Sequence, residues 1–245
     1  MADGPPPPAF YARAGGRAGE WWTVLHPPYT VWHLSYVVIG ASLAPSLDAG
    51  RLAATVAAFF LAVGMGAHAL DELNGRPLRT GIPARTLAGV GAACIAGAGA
   101  IGIVLVLEVG WVLAPFVVAG VVLAAAYSLE WFGGRLHTAA AFAIAWGGFP
   151  LLFGYVGQTG RLDPPALLAA AGACGLSAAQ RALSTPARLL RRKVATLQGT
   201  IELAGGDVQR LTAGWLLGPL ENALRALSWG VVALAAGALT ARLLG

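Results

Sequence analysis

The chain has 245 residues, 57% of them hydrophobic and 11% charged, with a net charge of +5 and a mean hydropathy of +0.69. Soluble domains carry roughly 25% charged residues, so a water-soluble globule is excluded. Basic residues scattered between apolar runs also exclude a continuous nucleic-acid surface, and Cys94 and Cys174, each inside an apolar run, supply neither a disulfide framework nor a CxxC metal site.

Met1–Phe10 is proline-rich, and residues 1–20 are expected to be disordered, with residues 21–245 forming one transmembrane domain. An apolar run of about 17–25 residues crosses ~30 Å of hydrocarbon. Such runs can be read at Val31–Ser46, Leu52–Leu70, Thr86–Leu107, Trp111–Leu129, Thr138–Val156, Pro165–Ala179 and Ala223–Leu244. The expected fold is therefore an all-α, polytopic membrane helical bundle of about seven transmembrane helices. Gly-Ala clusters at Gly89–Gly102 and Ala169–Gly175 let helix backbones approach closely in lipid. Trp32, Trp111, Trp131, Trp215 and Trp229 fall near span ends, where indoles favour the interface.

With the N-terminus cytoplasmic, thirteen of the 16 Lys and Arg residues fall on the inner side, and only Arg51, Arg161 and Arg242 outside. That asymmetry implies an odd number of spans in the inner, cytoplasmic membrane of a prokaryote, with anionic lipids as neighbours.

The second span runs into His68-Ala-Leu-Asp71-Glu72-Leu-Asn74-Gly-Arg76-Pro77-Leu-Arg79-Thr80-Gly81, a charged, turn-rich loop. Ionisable groups at a membrane boundary are costly unless they pair or bind something. His68 and Asp71 share a helical face, and Glu72 lies four residues from His68. His26, His33 and His137 fall on the same inner side, as do Glu130 and Arg135.

After the sixth span, Arg181, Thr185, Arg188 and Arg192 recur about one helical turn apart, with Gln180 and Ser184 beside them. Guanidinium forks suit phosphate oxygens. Ser184-Thr185-Pro186 reads as the start of a separate basic amphipathic helix, and residues 199–212 as a small cytoplasmic β-hairpin around Gly205-Gly206, so that 184–215 forms a cytoplasmic insert before the last span. Pro219 sits early in the last helix, where a first-turn position or a kink accommodates it. The two polar faces, each at the inner end of an even-numbered span, are expected to line one cavity open to the cytoplasmic side.

From His26 to Arg192 the chain resembles the UbiA superfamily of intramembrane prenyltransferases. Asp71 matches the central aspartate of that family's first aspartate-rich motif, and Arg76-Pro77-Leu78-Arg79-Thr80-Gly81 matches the loop after it. Tyr127-Ser128, the run Ala145-Trp146-Gly147-Gly148-Phe149-Pro150 and Gly154-Tyr155 are similar to its fourth and fifth helices, and His26-Pro27 through Gly40 to its first. The resemblance implies an all-helical fold with a cavity opening to the cytoplasm and the membrane. In such a cavity a prenyl diphosphate is bound through Mg²⁺, and its chain is transferred to an aromatic or other lipophilic acceptor.

On that basis Asp71, Glu72 and His68 are candidate catalytic residues, and Asp71 and Glu72 candidate Mg²⁺ ligands. Asn74, Arg76, Arg79, Arg181, Arg188 and Arg192 are candidate phosphate-binding residues. The chain departs from the family at Ala67-His68 and Gly75 of the first motif, and over Ala178–Arg188, where the second motif carries no carboxylate. Two other readings stand beside it. One is a non-catalytic lipid-, quinone- or pigment-binding subunit that docks on a membrane-protein partner. The other is a transition-metal site made by His33, His68, Asp71 and Glu72.

Overall fold

The structure, a computed structural model, describes residues 7–245. Eight helices carry the fold: α1 (Gly16–Leu25), α2 (Pro27–Ser42), α3 (Ala49–Leu73), α4 (Ala84–Val109), α5 (Trp111–Ser128), α6 (Ala139–Thr159), α7 (Pro164–Arg192) and α8 (Ala213–Leu244). The six from α3 to α8 are long and apolar enough to cross a membrane, so the chain is an all-α bundle of the membrane-spanning kind. Its outward faces are apolar, with Ile103, Val104, Leu107, Val118 and Leu234 all more than half exposed, as lipid-facing residues are. At 16 residues α2 is about 24 Å long, short of the hydrocarbon thickness.

Local chemistry sets the boundaries. Pro27 disfavours the right-handed α region for the residue before it, which ends α1; His26 takes a left-handed conformation (φ 49°, ψ 54°), and Pro27-Pro28 then occupies the first turn of α2. Asp48 caps α3 through the Arg51 amide, Thr138 caps α6 through Ala141, and Thr212 caps α8 through Trp215. Two spans contain a π-helical stretch, Phe60–Ala67 in α3 and Ile144–Gly148 in α6.

The short helix α2 lies inside the bundle, packed on α6 and α8. Its crossing with α6 is so close that a Cβ on Gly40 would overlap the Leu151 carbonyl, and one on Gly154 the Val37 carbonyl. On the other flank α3 packs on α4, α5 and α6, around Phe59, Phe149 and Phe153. Helix α7 completes the bundle against α6 and α8. One end is closed by polar pairing: the Asp48 amide donates to Gln158 (2.7 Å), and Arg51 reaches the Gln158 and Glu108 carbonyls (3.4 and 3.5 Å).

The hairpin forms as expected. Strands β1 (Thr200–Glu202) and β2 (Val208–Arg210) pair antiparallel with Ile201 opposite Gln209, and Gly206 takes a positive φ in the turn. Three expectations are corrected. Ser184-Thr185-Pro186 begins no helix, because α7 runs unbroken to Arg192 with Pro186 inside it. The Thr185 hydroxyl bonds back to the Arg181 carbonyl (2.8 Å) instead of capping, and the 29-residue helix, about 44 Å long, exceeds the hydrocarbon thickness.

Trp32 is no interfacial anchor. It is 1% exposed, packed with Tyr36 between α2's neighbours, while Trp111, Trp131, Trp215 and Trp229 are exposed. Of the segment expected to be disordered, residues 1–6 lie outside the described residues. From there on the chain is held by aromatic packing of Phe10 and Tyr11 on Tyr29, and α1 begins at Gly16.

Candidate functional site

At the end of the bundle opposite the Gln158 closure lies a cavity of about 310 Å³. Six parts of the chain build it. The segment before α1 contributes Pro8–Tyr11, α2 contributes His26, Tyr29 and His33 from its amino end, α3 contributes His68 and Asp71, the α5–α6 region contributes Tyr127, Glu130 and His137, and α7 contributes Gln180 through Arg192. Glu221 of α8 closes the wall beside Arg191. The cavity shares Val63 and Trp146 with a smaller apolar pocket of about 50 Å³ that runs between α3, α4, α5 and α6 and is lined by Phe59, Gly102, Gly120, Phe149 and Phe153.

The histidines are positioned by irregular backbone. His26 Nδ1 meets the Val24 carbonyl at the end of α1 (2.6 Å), His33 Nδ1 the Trp146 carbonyl in the π stretch of α6 (2.9 Å), and His68 Nδ1 the Gly64 carbonyl in the π stretch of α3 (3.2 Å). A carbonyl only accepts, so at His26 and His33 Nδ1 carries the proton, and in a neutral ring Nε2 is left as an acceptor. The His26 and His68 rings stack with centroids 4.2 Å apart. Burial, and next to it the His68 ring, hold the His26 imidazole well below its ordinary value of 6.5, so it stays neutral. Burial and the neighbouring Tyr29 likewise push the Tyr11 phenol well above 10.

The arginines of α7 differ in how far their donors are used. Arg181 is pinned by the Tyr127 hydroxyl (3.1 Å) and the His137 carbonyl (2.5 Å). Arg191 pairs with Glu221 through two hydrogen bonds, the Nη2 one at 2.8 Å, and also reaches the Pro7 carbonyl. Arg192 donates Nε to the Pro8 carbonyl (3.1 Å), and its terminal nitrogens have no partner among the described residues. No hydrogen bond or ion pair engages the Arg188 side chain among the described residues.

The structure thus brings His68, Asp71, Arg181, Arg188 and Arg192 to one cavity. It places the other candidates elsewhere. Glu72 is fully buried, and its carboxylate accepts from the Leu78 amide (2.8 Å), the Thr80 amide (2.9 Å) and the Thr80 hydroxyl (2.9 Å). Arg76 donates to the Ile82 carbonyl (2.6 Å), Asn74 to the Ser128 carbonyl (3.3 Å) and Arg79 to the Arg192 carbonyl (3.2 Å). Those four shape the loop around the cavity and do not line it. Tyr11, Tyr29 and Glu221 do line it. Of these only Glu221, a carboxylate at the start of an apolar helix, left a signal in the sequence.

The donor set does not fit a protein-held Mg²⁺, which takes oxygen ligands in octahedral geometry. Asp71 is the one carboxylate that α3 turns into the cavity, Glu130 of the α5–α6 connection is the other left free among the described residues, Glu72 is saturated by its loop, and Glu221 is occupied by Arg191, so two side chains are left for six positions. No cluster of three or more His, Cys, Asp or Glu side chains able to hold a metal occurs among the described residues, which bears equally on the transition-metal grouping of His33, His68, Asp71 and Glu72.

Fold and site together define a polytopic helical membrane protein with a guanidinium-rich cavity at one end that leads into an apolar pocket. No family model, curated protein or solved structure matches the chain.

Proposed function

We propose that this protein is a divergent, UbiA-like membrane protein that binds a prenyl diphosphate, its phosphates in the cavity and its chain toward the apolar pocket, and transfers that chain to a lipophilic acceptor. The observation that carries this reading is that Asp71 and Arg188, from opposite parts of the chain, line one chamber that also shares Val63 and Trp146 with the apolar pocket. Guanidinium forks bind phosphate oxygens by paired, charge-assisted hydrogen bonds. In the same reading α2 is the seventh crossing, the N-terminus is cytoplasmic, and the cavity end, which carries the basic loops, faces the cytoplasm of a prokaryotic cell.

Calorimetric titration of the detergent-solubilised full chain with farnesyl diphosphate tests the proposal. Binding is expected to be saturable and to weaken at least tenfold in Arg188→Ala. Equal, non-saturable uptake by wild type and variant refutes it.

The absence of a second carboxylate group over Ala178–Arg188 favours one other reading, a non-catalytic lipid-, quinone- or pigment-binding subunit. Binding without turnover across hydroxylated aromatic acceptors, with a stoichiometric membrane protein co-purifying, decides for the subunit.

A further inference from the structure

We infer that the cavity meets the phosphate oxyanion directly through Arg188 and Arg192, with no divalent cation between ligand and protein. This inference rests on the proposed prenyl diphosphate reading. It is drawn from the inventory of free donors and free charges on the cavity walls.

Arg188 and Arg192 lie four residues apart, on one face of α7. All the side-chain nitrogens of Arg188 and the terminal nitrogens of Arg192 lack partners among the described residues, so a planar fork is available at each. Neighbouring guanidiniums are spent: Arg191 is neutralised by Glu221, and Arg181 is fixed by Tyr127 and His137. Opposite stands Asp71, which makes no ion pair within 4.0 Å among the described residues.

The balance of charge then distinguishes two modes. A magnesium ion would bring positive charge beside Arg188 and Arg192, with only Asp71 and the exposed Glu130 to receive it. A phosphate oxyanion brings negative charge to two unpartnered forks, and charge-assisted N–H···O bonds to phosphate are among the stronger ones a protein makes. In the metal-bridged mode Asp71 is indispensable. In the direct mode its carboxylate is a like charge facing the ligand, and its removal favours binding.

Titration of the detergent-solubilised full chain with inorganic pyrophosphate and with farnesyl diphosphate, each in EDTA and in excess Mg²⁺, tests this. Direct binding predicts dissociation constants in the two buffers within about threefold, at least tenfold weakening in Arg188→Ala, and equal or tighter binding in Asp71→Asn. Arg188 is exposed, so its truncation leaves the packing of α7 intact. Tighter binding of the farnesyl compound than of pyrophosphate marks a lipid-borne ligand, and equal binding marks the free anion; either is consistent with direct contact. Binding seen only with Mg²⁺, or abolished in Asp71→Asn, overturns the inference and leaves the prenyl diphosphate reading standing. Failure of both compounds to bind in either buffer overturns the prenyl diphosphate reading itself.

Discussion

Replacing Glu72 separates a residue that builds the loop from one that touches ligand. Its carboxylate, 0% exposed, accepts three hydrogen bonds from Leu78 and Thr80, and these close the turn containing Gly75, Arg76 and Arg79, all at positive φ. Hydrogen bonds to a charged acceptor contribute about 1.5–3 kcal/mol each. In Glu72→Ala the Leu78 amide stays buried without a partner, whereas half-buried Thr80 recovers part of its loss from water, which sets the net cost at about 3–5 kcal/mol. For a chain of this size each kcal/mol lowers the midpoint by about 2–4 °C, so a fall on the order of 10 °C is expected. Thermal unfolding in detergent, followed by tryptophan fluorescence, measures the shift. Pyrophosphate titration well below the transition should give a dissociation constant within about threefold of wild type. A wild-type midpoint with lost binding would show that Glu72 contacts ligand and that this account of the loop is wrong.

Other perturbations follow from the same geometry. Gly40→Ala and Gly154→Ala place a Cβ against backbone carbonyls that cannot move aside, so each should destabilise by about 1–3 kcal/mol or more, while Gly175→Ala, with open space around it, should be neutral by the same melting assay. Arg191 and Glu221 form a buried pair, so either single removal should cost about 3–5 kcal/mol, and an Arg191→Met/Glu221→Leu double variant should recover much of it; additive losses would refute the coupling. The His26 ring is held neutral in the fold but titrates near 6.5 when unfolded, so unfolding takes up a proton below that value. Stability is then full above about pH 6.5 and falls on acidification by at most ~1.36 kcal/mol per pH unit. His26→Asn, a residue that tolerates the left-handed conformation, should remove that proton's share of the slope; an unchanged slope refutes it.

Much of the bundle was legible because hydropathy, caps and breakers act locally. The spans from α3 to α6 begin and end within three residues of their expected limits, and the hairpin announces itself through Gly205-Gly206. Two errors have different causes. Ser184-Thr185-Pro186 carries the residues of a helix start, yet the same residues fit a helix interior when the hydroxyls bond back to the preceding turn. Asp71 and Glu72 are adjacent carboxylates that point about 100° apart on a helix, and which one faces the cavity depends on the rotation of α3. That rotation is set by tertiary packing and by the π stretch upstream, neither of which has a residue-level signature. The roles of Pro8–Tyr11 were illegible for another reason: a proline-rich start reads as disorder until aromatic partners from α2 come into view.

The widened turn at Phe60–Ala67 works as an angular spacer. A π-type turn houses one residue more than an α turn, and that surplus turns everything after it by roughly a quarter of a revolution. Excising a single position from the stretch would swing Asp71 off the chamber wall and carry another side chain into its place, with the chemical make-up of the loop almost untouched. The membrane-buried glycines and alanines of α3 are thus the part of the chain that aims its polar end, and redesign of this site by exchange of side chains alone will leave that aim unaltered.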